Sequence, residues 1–289
     1  MATLFTDPAA LRARARQWRS AGERVALVPT MGDLHAGHLA LVERAVASAD
    51  RTVASIFVNP LQFGPGEDFA EYPRVPERDH ALLAERSVDA VLAPPDAALY
   101  PRGVDAALRI ALPGLDDILC GADRPGPFSG VATVVSKLFN IVEPDVAVFG
   151  EKDYQQLLLI RRLVAELMFA VDVIAVPTVR EPDGLALSSR NQYLDAAERR
   201  RAPTLARELR AVAAALAAGE RDFSALCARA DERLRAEGLT PDYVEIRRAA
   251  DLGWPQPDDA PQSLRVLAAA RLGRARLIDN APVSVATAA

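Results

Sequence analysis

Cysteine and histidine are scarce in this sequence, and their scarcity limits the chemistry that the chain can support. Its 289 residues include two cysteines, Cys120 and Cys227, and three histidines. Two cysteines so far apart in sequence do not indicate a disulfide framework, so a reducing cytoplasm is the expected location. A zinc site needs three or four protein ligands, and beside two neighbouring histidines only the distant His80 remains. The sequence therefore indicates no standard metal cluster.

Long apolar runs, an excess of basic residues and the common nucleotide-binding signatures are also missing. No apolar run approaches the length of a membrane span, which predicts a protein without membrane segments. The net charge is -5, from 34 basic and 39 acidic residues, and this slight acidity predicts no nucleic-acid partner. Neither a Walker pattern nor Gly-x-Gly-x-x-Gly occurs, so a P-loop kinase or a dinucleotide oxidoreductase is not indicated.

The stretch with the strongest functional signal, VPTMGDLHAGHLALV, joins a predicted strand to a predicted amphipathic helix. His35 and His38 are three residues apart at the start of that helix, so their rings share one face and can reach one ligand. Gly37 carries no side chain, and the first-turn N–H groups with the helix dipole favour an anion such as phosphate. A polar turn without chemistry, or a metal site with further ligands, remains an alternative.

A second strand, from Thr52 to Val58, ends at another group of polar residues. Its apolar run without alternation predicts a central strand that is buried on both faces. Ligands of open α/β sheets bind beyond the carboxyl ends of the strands, which makes Asn59 and Gln62 candidate binding residues. Turn chemistry explains Asn59 before Pro60 equally well.

A third strand, from Asp145 to Phe149, leads into Gly150-Glu151-Lys152-Asp153 and a long predicted helix. Lys152 has no evident structural duty there, so it is a candidate cation for phosphate or for charge that develops during phosphoryl transfer. Asp153 also fits the cap of the helix. The later sequence Ser188-Ser189-Arg190 offers hydroxyl and guanidinium donors to phosphate oxygens, although such sequences also occur in loops without function.

Alternating strands and helices predict an α/β fold, a Rossmann-like doubly wound parallel sheet, over residues 1–177. From 178 to 289 the pattern changes to two helices followed by three antiparallel strands, which predicts a smaller C-terminal α+β domain. Within these domains we expect a helix from Val131 to Val142 and one long helix from Asp195 to about Ala218, capped by Asp195 and Glu198.

Six blocks of sequence, spread over nearly all of the chain, together resemble the pantoate-beta-alanine ligase family of the HxGH nucleotidyltransferase superfamily. They are PTMGDLHAGHLALV, SIFVNPLQF, the YPR element, VSKLFNIVEPDVAVFGEKDYQQLLLIRRLV, VPTVREPDGLALSSRNQYL and ARLIDN. The resemblance implies ATP-dependent condensation of pantoate with beta-alanine to pantothenate, through a pantoyl adenylate, with release of AMP and pyrophosphate. It further implies Mg²⁺ with ATP, a homodimer, nucleotide and pantoate sites in the first domain, and a C-terminal domain that acts as a lid.

The resemblance also implies roles for individual residues. His38, Lys152 and His35 are expected to be catalytic, by binding the ATP phosphates and stabilising the transferring phosphoryl group. The residues expected to bind ATP are Met31, His35, Gly37, His38, Gly150, Lys152, Asp153, Val179, Leu187, Ser188, Ser189 and Arg190. Those expected to bind pantoate are Pro29, Thr30, Met31, Asn59, Gln62 and Gln156. No metal ligand is assigned, and Asp79 is considered only as a nearby carboxylate.

The chain departs from the family's pattern in two places. Pro127-Phe128-Ser129-Gly130 replaces the usual His-Phe-Arg-Gly, which removes two donors and is expected to alter substrate affinity, loop closure or subunit contact. Ala36 stands where an acidic residue is common, but neither histidine moves. Two rival functions remain: a sister nucleotidyltransferase that leaves AMP in its product, and a nucleotide-binding protein without activity.

Overall fold

The computed structural model describes residues 2–64, 68–124 and 126–284. They form two compact units. The first runs up to residue 151 and also includes residues 156–177, and the second comprises residues 152–155 and the chain from residue 178 onward. The short segment that contains Lys152 therefore groups with the second unit, although it directly follows a strand of the first.

The first unit is built on a six-stranded sheet in which every neighbouring pair of strands is parallel. Its strands are β1 (Thr3–Phe5), β2 (Val25–Thr30), β3 (Arg51–Ile56), β4 (Ala90–Leu92), β5 (Val146–Gly150) and β6 (Asp172–Val176). They lie in the order β1-β4-β3-β2-β5-β6, which confirms the predicted parallel α/β sheet. The sequence did not predict β1, because three residues at an edge carry too little periodicity.

Helices cover both faces of this sheet, as a doubly wound fold requires. Alternate residues of β2 point to opposite faces of the sheet. On one face, Ala26 and Val28 pack with Val42 and Ala45 of α2. Helices α1 and α6 contact β2 and also contact each other. The helices up to residue 177 are α1 (Pro8–Ser20), α2 (Ala36–Val46), α3 (Pro76–Glu85), α4 (Asp96–Leu99), α5 (Cys120–Asp123), α6 (Pro127–Val142) and α7 (Tyr154–Glu166).

Helix α6 begins at Pro127, four residues before the predicted start at Val131. Proline suits the first position of a helix, because its missing N–H would have no intrahelical partner there. The first turn of α6 packs closely on Leu61, since a Cβ added to Gly130 would lie 2.1 Å from the Leu61 carbonyl oxygen. Pro127 and Ser129, the positions that depart from the family pattern, thus belong to the first turn of a packed helix.

The second unit places helices against an antiparallel sheet of three strands, as predicted. The sheet contains β7 (Thr240–Arg248), β8 (Leu264–Leu272) and β9 (Ala275–Pro282), in that order. Leucines of the helices pack with small and branched residues of the sheet in one apolar core. The helices are α8 (Ala196–Arg201), α9 (Thr204–Ala217) and α10 (Phe223–Ala236).

The single long helix predicted from Asp195 to Ala218 is wrong. The structure has two helices, α8 and α9, which are separated at Pro203. Proline removes an N–H donor and its ring clashes with the preceding turn, so a continuous helix would be strongly destabilised there. The predicted cap at the start of α8 is confirmed, because Asp195 accepts hydrogen bonds from the Ala197 and Glu198 amides.

The helices of the described residues are too short or too polar to cross a membrane.

Candidate active site

Three candidate segments follow neighbouring strands of the central sheet. β2 lies between β3 and β5, and the chain extends from it through β3 and β4 on one side and through β5 and β6 on the other. Ligands of open α/β sheets bind beyond the carboxyl ends of the strands at such a switch point. β2 ends at Thr30, β3 at Ile56 and β5 at Gly150, so the polar turns predicted from sequence all start at this edge.

The two histidines form the start of α2, as predicted. His35 is the N-cap and His38 is in the first turn, with the centroids of their rings 4.1 Å apart. The Gly37 amide donates to Nδ1 of His35 at 3.1 Å, and the His35 amide donates to Nδ1 of His38 at 3.4 Å. The rings therefore complete a capping box in which imidazole nitrogens take the place of the usual hydroxyl and carboxylate oxygens.

These bonds decide the protonation of both rings. A backbone N–H can only donate, so each Nδ1 must be unprotonated and each neutral ring must carry its proton on Nε2. His35 and His38 are thus held as neutral Nε2–H donors on one face of the helix. Among the first-turn amides, the Gly37 N–H already donates to His35.

The turn before the histidines is held by Asp79 of α3, which is fully buried. One carboxylate oxygen accepts from the Asp33 amide at 2.7 Å and the other from the Leu34 amide at 2.9 Å. Burial raises the pKa of this carboxyl group above its usual value, while the two amide bonds oppose the rise. Asp79 is therefore a structural acceptor for the turn rather than an exposed carboxylate.

Three residues expected to bind pantoate differ in how their side chains are engaged. The Thr30 hydroxyl donates to the Ser55 carbonyl at 2.6 Å and accepts from the Gly32 amide at 3.2 Å, so it stabilises the end of β2. Asn59 is fully buried, and all of its hydrogen-bonding positions are taken by the protein. Gln62 is partly exposed and accepts one bond, from Asn59 Nδ2 to its Oε1 at 3.0 Å.

A buried tyrosine and a partly buried lysine lie behind Asn59. The Tyr100 hydroxyl donates to Asn59 Oδ1 at 2.6 Å, and burial raises the pKa of this phenol. Lys137 Nζ lies 4.4 Å from the centre of the Tyr100 ring and donates to the Leu99 carbonyl. Burial lowers the pKa of Lys137. The sequence analysis did not single out either residue.

In the second unit, the strand β9 anchors the segment of Lys152. Asn280 Nδ2 donates to the Lys152 carbonyl at 3.0 Å, and Lys152 Nζ lies 3.7 Å from Asp153 Oδ1. Two further contacts hold Tyr154, whose hydroxyl donates to the Ala249 carbonyl while the guanidinium of Arg265 stacks 3.6 Å from its ring. This short segment is thereby tied to the second unit at three points.

The Ser188–Arg190 segment follows a short hairpin in the second unit. Leu187 pairs with Val179 through a backbone bond of 3.0 Å, and Gly184, with φ of +94°, closes the turn. Ser188 then accepts from the Arg190 amide as the cap of a 3-10 turn, Ser189–Tyr193. This arrangement places two consecutive hydroxyls and one guanidinium at the start of a helical turn.

One pocket of the second unit brings together two sequence candidates, Lys152 and Ser188. Asp279 lines the same pocket, and its carboxylate forms a two-point ion pair with Arg180 of the hairpin. Asn191 adds an amide whose Oδ1 is buried and accepts no hydrogen bond from the described residues. The other residues that line the pocket are Leu185, Ala186, Leu205, Leu277 and Ile278.

The remaining candidates lie in the first unit. Pro29, Met31 and Gly150 lie at the ends of β2 and β5, and Gln156 lies on the partly exposed side of α7, all within the first unit. The described residues contain no group of three or more His, Cys, Asp or Glu side chains that could hold a metal ion. His80 is used elsewhere, since its Nε2 lies 2.9 Å from the Ala2 carbonyl oxygen.

Comparison with known proteins identifies the family of this fold and site. The sequence profile of pantoate-beta-alanine ligase matches residues 3–282. A pantothenate synthetase from Thioalkalivibrio sulfidiphilus (strain HL-EbGR7) is 60% identical over 285 residues, which cover 99% of each chain. The chain belongs to the pantoate-beta-alanine ligase family.

Solved structures of the pantoate-beta-alanine ligase family share the fold. The pantothenate synthetase from Thermus thermophilus superposes with a TM-score of 0.90 at 48% identity, covering 97% of this chain and 99% of that one. A pantoate-beta-alanine ligase from Francisella tularensis, complexed with beta-gamma ATP and beta-alanine, superposes with a TM-score of 0.82 at 32% identity, and the match covers 98% of both chains.

As a member of this family the protein is an enzyme, a ligase that forms the amide bond between pantoate and beta-alanine. The sequence analysis missed residues that hold the candidates in place, namely Tyr100, Lys137, Arg180, Asp279 and Asn280. For Asp279 and Asn280 a signal existed, because they end the block ARLIDN. Lys137 likewise lies in the block that begins VSKLF, whereas Tyr100 lies in none of the six blocks and its partner Asn59 is distant in sequence.

Proposed function

We propose that this ligase uses ATP to condense pantoate with beta-alanine through a pantoyl adenylate, and that it releases AMP and pyrophosphate. The observation that carries the proposal is the pair of neutral Nε2–H donors at the start of α2, beyond the end of a central strand. The relative from Francisella tularensis, complexed with beta-gamma ATP and beta-alanine, supports the same pair of substrates.

The proposed chemistry converts a poor acyl donor into a good one. A pantoate carboxylate oxygen attacks the α-phosphorus of ATP, an O–P bond forms, and the bond from the α-phosphorus to the leaving pyrophosphate breaks. The amine of beta-alanine then attacks the activated carbonyl carbon and loses a proton, and AMP leaves with the former carboxylate oxygen. Catalysis of the first step requires donors that strengthen as charge develops on the phosphates.

In the first unit, His35 and His38 supply such donors. Their Nε2–H groups are proposed to bind phosphate oxygens, helped by the positive end of the α2 dipole. Gln62 and Gln156 are proposed to hold pantoate, beside Met31 and Pro29. Thr30 and Asn59 contribute indirectly, because their side chains are engaged within the protein.

In the second unit, Lys152 supplies the proposed cation. Ser188, Ser189 and Arg190 are proposed to bind the same phosphates, and Ser188 lines one pocket together with Lys152. Asp153, 3.7 Å from the Lys152 ammonium, is proposed to assist on the nucleotide side with Gly150, Val179 and Leu187.

Mg²⁺ is proposed to enter with ATP as part of the substrate. Asp79 does not fit the role of a metal ligand, since each of its oxygens accepts a backbone amide. Hard oxygen ligands are what Mg²⁺ prefers, and the phosphates of ATP provide them. The ion would neutralise charge on those phosphates.

We further propose a homodimer in the cytoplasm. The family resemblance suggests the dimer, and the low cysteine content suggests the compartment. Light scattering coupled to size-exclusion chromatography tests the dimer. A mass near that of one 31.0 kDa chain would contradict it.

The experiment that tests the proposed function measures pyrophosphate release from ATP and Mg²⁺ with pantoate, with and without beta-alanine, and then identifies the products. Turnover that needs both substrates and yields AMP and pantothenate is expected. Release of about one equivalent per site without beta-alanine would support a retained adenylate. A final product that contains AMP would favour the sister nucleotidyltransferase. ATP binding without any release of pyrophosphate would favour the nucleotide-binding protein.

Lys152→Ala tests the cation directly. Loss of one donor to a developing charge typically lowers turnover by about a hundredfold, and we expect at least that loss here. Arg235→Ala is the matched control, because it removes an exposed cation of the same unit that lies in an ion pair on α10. A fall of less than threefold for Lys152→Ala would remove Lys152 from the mechanism.

A further inference from the structure

The side chain of Asn59 is held by four hydrogen bonds within the first unit. Its Oδ1 accepts from the Leu61 amide at 3.3 Å and from the Tyr100 hydroxyl at 2.6 Å. Its Nδ2 donates to the Gly130 carbonyl and to Oε1 of Gln62, both at 3.0 Å. Both lone pairs of the oxygen and both hydrogens of the nitrogen are therefore used.

Two backbone groups decide which way this amide is turned. The Leu61 N–H can only donate and the Gly130 carbonyl can only accept, so the oxygen of Asn59 must face Leu61 and its nitrogen must face Gly130. The reversed amide would place donor against donor and acceptor against acceptor in a site with no access to water. The orientation of Asn59 is thus a consequence of the local backbone.

The orientation of Asn59 fixes the orientation of Gln62. Because Asn59 presents a donor, Gln62 must present its Oε1, and its Nε2 then points away from Asn59. This Nε2 donates no hydrogen bond to the residues that the structure describes. Gln62 therefore offers two N–H donors, which match the carboxylate or hydroxyl oxygens of a substrate such as pantoate.

Tyr100 and Lys137 form the layer behind Asn59. With Asn59 Oδ1 facing it, the Tyr100 hydroxyl must act as the donor. The Lys137 ammonium over its ring withdraws electron density, which makes the phenol a better donor and a worse acceptor. Hydrogen bonds in a chain polarise one another, so a stronger Tyr100 bond also strengthens Asn59 as a donor to Gln62.

We propose that Tyr100 and Lys137 are positioning residues for pantoate recognition, which act through Asn59 to keep the N–H groups of Gln62 turned toward the substrate. The inference rests on the proposed binding of pantoate by Gln62. Lys137, Tyr100, Asn59 and Gln62 form one continuous chain of contacts in the first unit, and only Gln62 meets the substrate.

Steady-state kinetics of Tyr100→Phe in the full-length enzyme test the proposal. Loss of one hydrogen bond behind Asn59 is expected to raise the KM for pantoate about tenfold, with kcat lowered less than threefold and the KM for ATP within twofold of wild type. A purely structural role would lower the melting temperature or the active fraction without this selectivity. Tyr243→Phe, in β7 of the second unit, is the matched control and should leave all three constants unchanged.

A pair of Lys137 variants keeps the proposal testable if Tyr100→Phe fails to fold. Lys137→Met removes the charge over the ring and should raise the pantoate KM about threefold, since only the strength of the Tyr100 bond changes. Lys137→Arg retains a cation over the ring and should restore the wild-type value. Equal pantoate KM values for Lys137→Met, Lys137→Arg and wild type would overturn the role of Lys137.

Gln62→Glu tests the direction of the amide. The variant can still accept from Asn59, but it replaces the outward N–H groups by an acceptor, so kcat/KM for pantoate should fall at least about a hundredfold. A fall of less than threefold would mean that Gln62 uses an acceptor, and the proposal would be overturned.

The outcome for the wild-type enzyme separates the two proposals. A wild type that forms no pantothenate refutes the proposed function. An active wild type whose Tyr100→Phe variant folds and keeps the wild-type pantoate KM refutes only the positioning role.

Discussion

Breaking the buried ion pair between Arg180 and Asp279 should destabilise the second unit strongly. The pair joins the hairpin that precedes Ser188 to the strand β9, through N···O distances of 2.6 and 2.9 Å. The side chain of Asp279 is 3% exposed and that of Arg180 is 22% exposed. Asp279→Ala would therefore leave a guanidinium largely enclosed by protein without its counter-ion.

The expected cost follows from this geometry. Removing one partner of a buried ion pair typically costs about 3–5 kcal/mol, because the remaining charge is uncompensated. Arg180 would retain the carbonyl groups of Gly184 at 3.0 Å and Asn280 at 3.3 Å, which places the estimate at the lower end. We expect a loss of about 3 kcal/mol, or more than a hundredfold in the unfolding equilibrium.

The two tryptophans allow the second unit to be observed alone. Trp254 lies in the second unit and Trp18 in α1 of the first, so a Trp18→Phe background leaves one fluorophore. Trp254 reports on folding because the Arg247 guanidinium stacks 3.5 Å from its ring. With a urea slope of about 1–3 kcal/mol per molar, Asp279→Ala should lower the fluorescence midpoint by about 1–3 M.

An exposed pair in the same unit provides the control. Arg235 and Asp231 also form two contacts, of 2.5 and 3.2 Å, but their side chains are 54% and 32% exposed. Asp231→Ala should cost less than about 1 kcal/mol, because water screens such pairs. Equal midpoint shifts for Asp231→Ala and Asp279→Ala would refute the reasoning that burial makes the Arg180 pair important.

Three further predictions concern the first unit. Gly130→Ala should cost about 1–3 kcal/mol in calorimetric stability, because the new Cβ would lie 2.1 Å from the Leu61 carbonyl oxygen; an unchanged melting temperature would contradict this contact. Asp79→Ala leaves two amides of the histidine turn without their charged acceptor, so turnover in the pyrophosphate assay should fall at least about tenfold. Full activity of this variant would exclude Asp79 as the residue that holds the turn. Burial raises the pKa of Tyr100 above 10.0, so the contribution of this residue to the free energy of unfolding is complete below pH 10 and should decline by about 1.4 kcal/mol per pH unit above it. In denaturation experiments, Tyr100→Phe should lack that decline. Identical slopes of unfolding free energy against pH for wild type and variant would refute the prediction.

Local patterns were sufficient for most elements of the fold. The apolar run before His35 and the periodic residues after it predicted the β2-turn-α2 unit, and the structure confirms it. Strand and helix periods are local properties, which explains why the parallel sheet and the antiparallel second sheet were also foreseen. The error at α8 and α9 was avoidable, because Pro203 stood in the predicted helix.

The details of the candidate site depended on contacts between distant residues. The sequence placed His35 and His38 on one face, but only the folded turn shows that both rings accept backbone amides and must carry their protons on Nε2. Asn59 was predicted as a ligand-binding residue, and the structure shows a fully engaged side chain behind Gln62.

The sequence by itself determined the order of the elements, the family, and the polar residues at the ends of the strands, because each of these follows from residue type and short-range spacing. The tertiary structure decided how those residues are held. Tyr100 contacts Asn59 across 41 positions, and Arg180 contacts Asp279 across 99. Such pairs depend on where the chain returns in space, and hydrogen-bond direction then decides which atoms remain for the substrate.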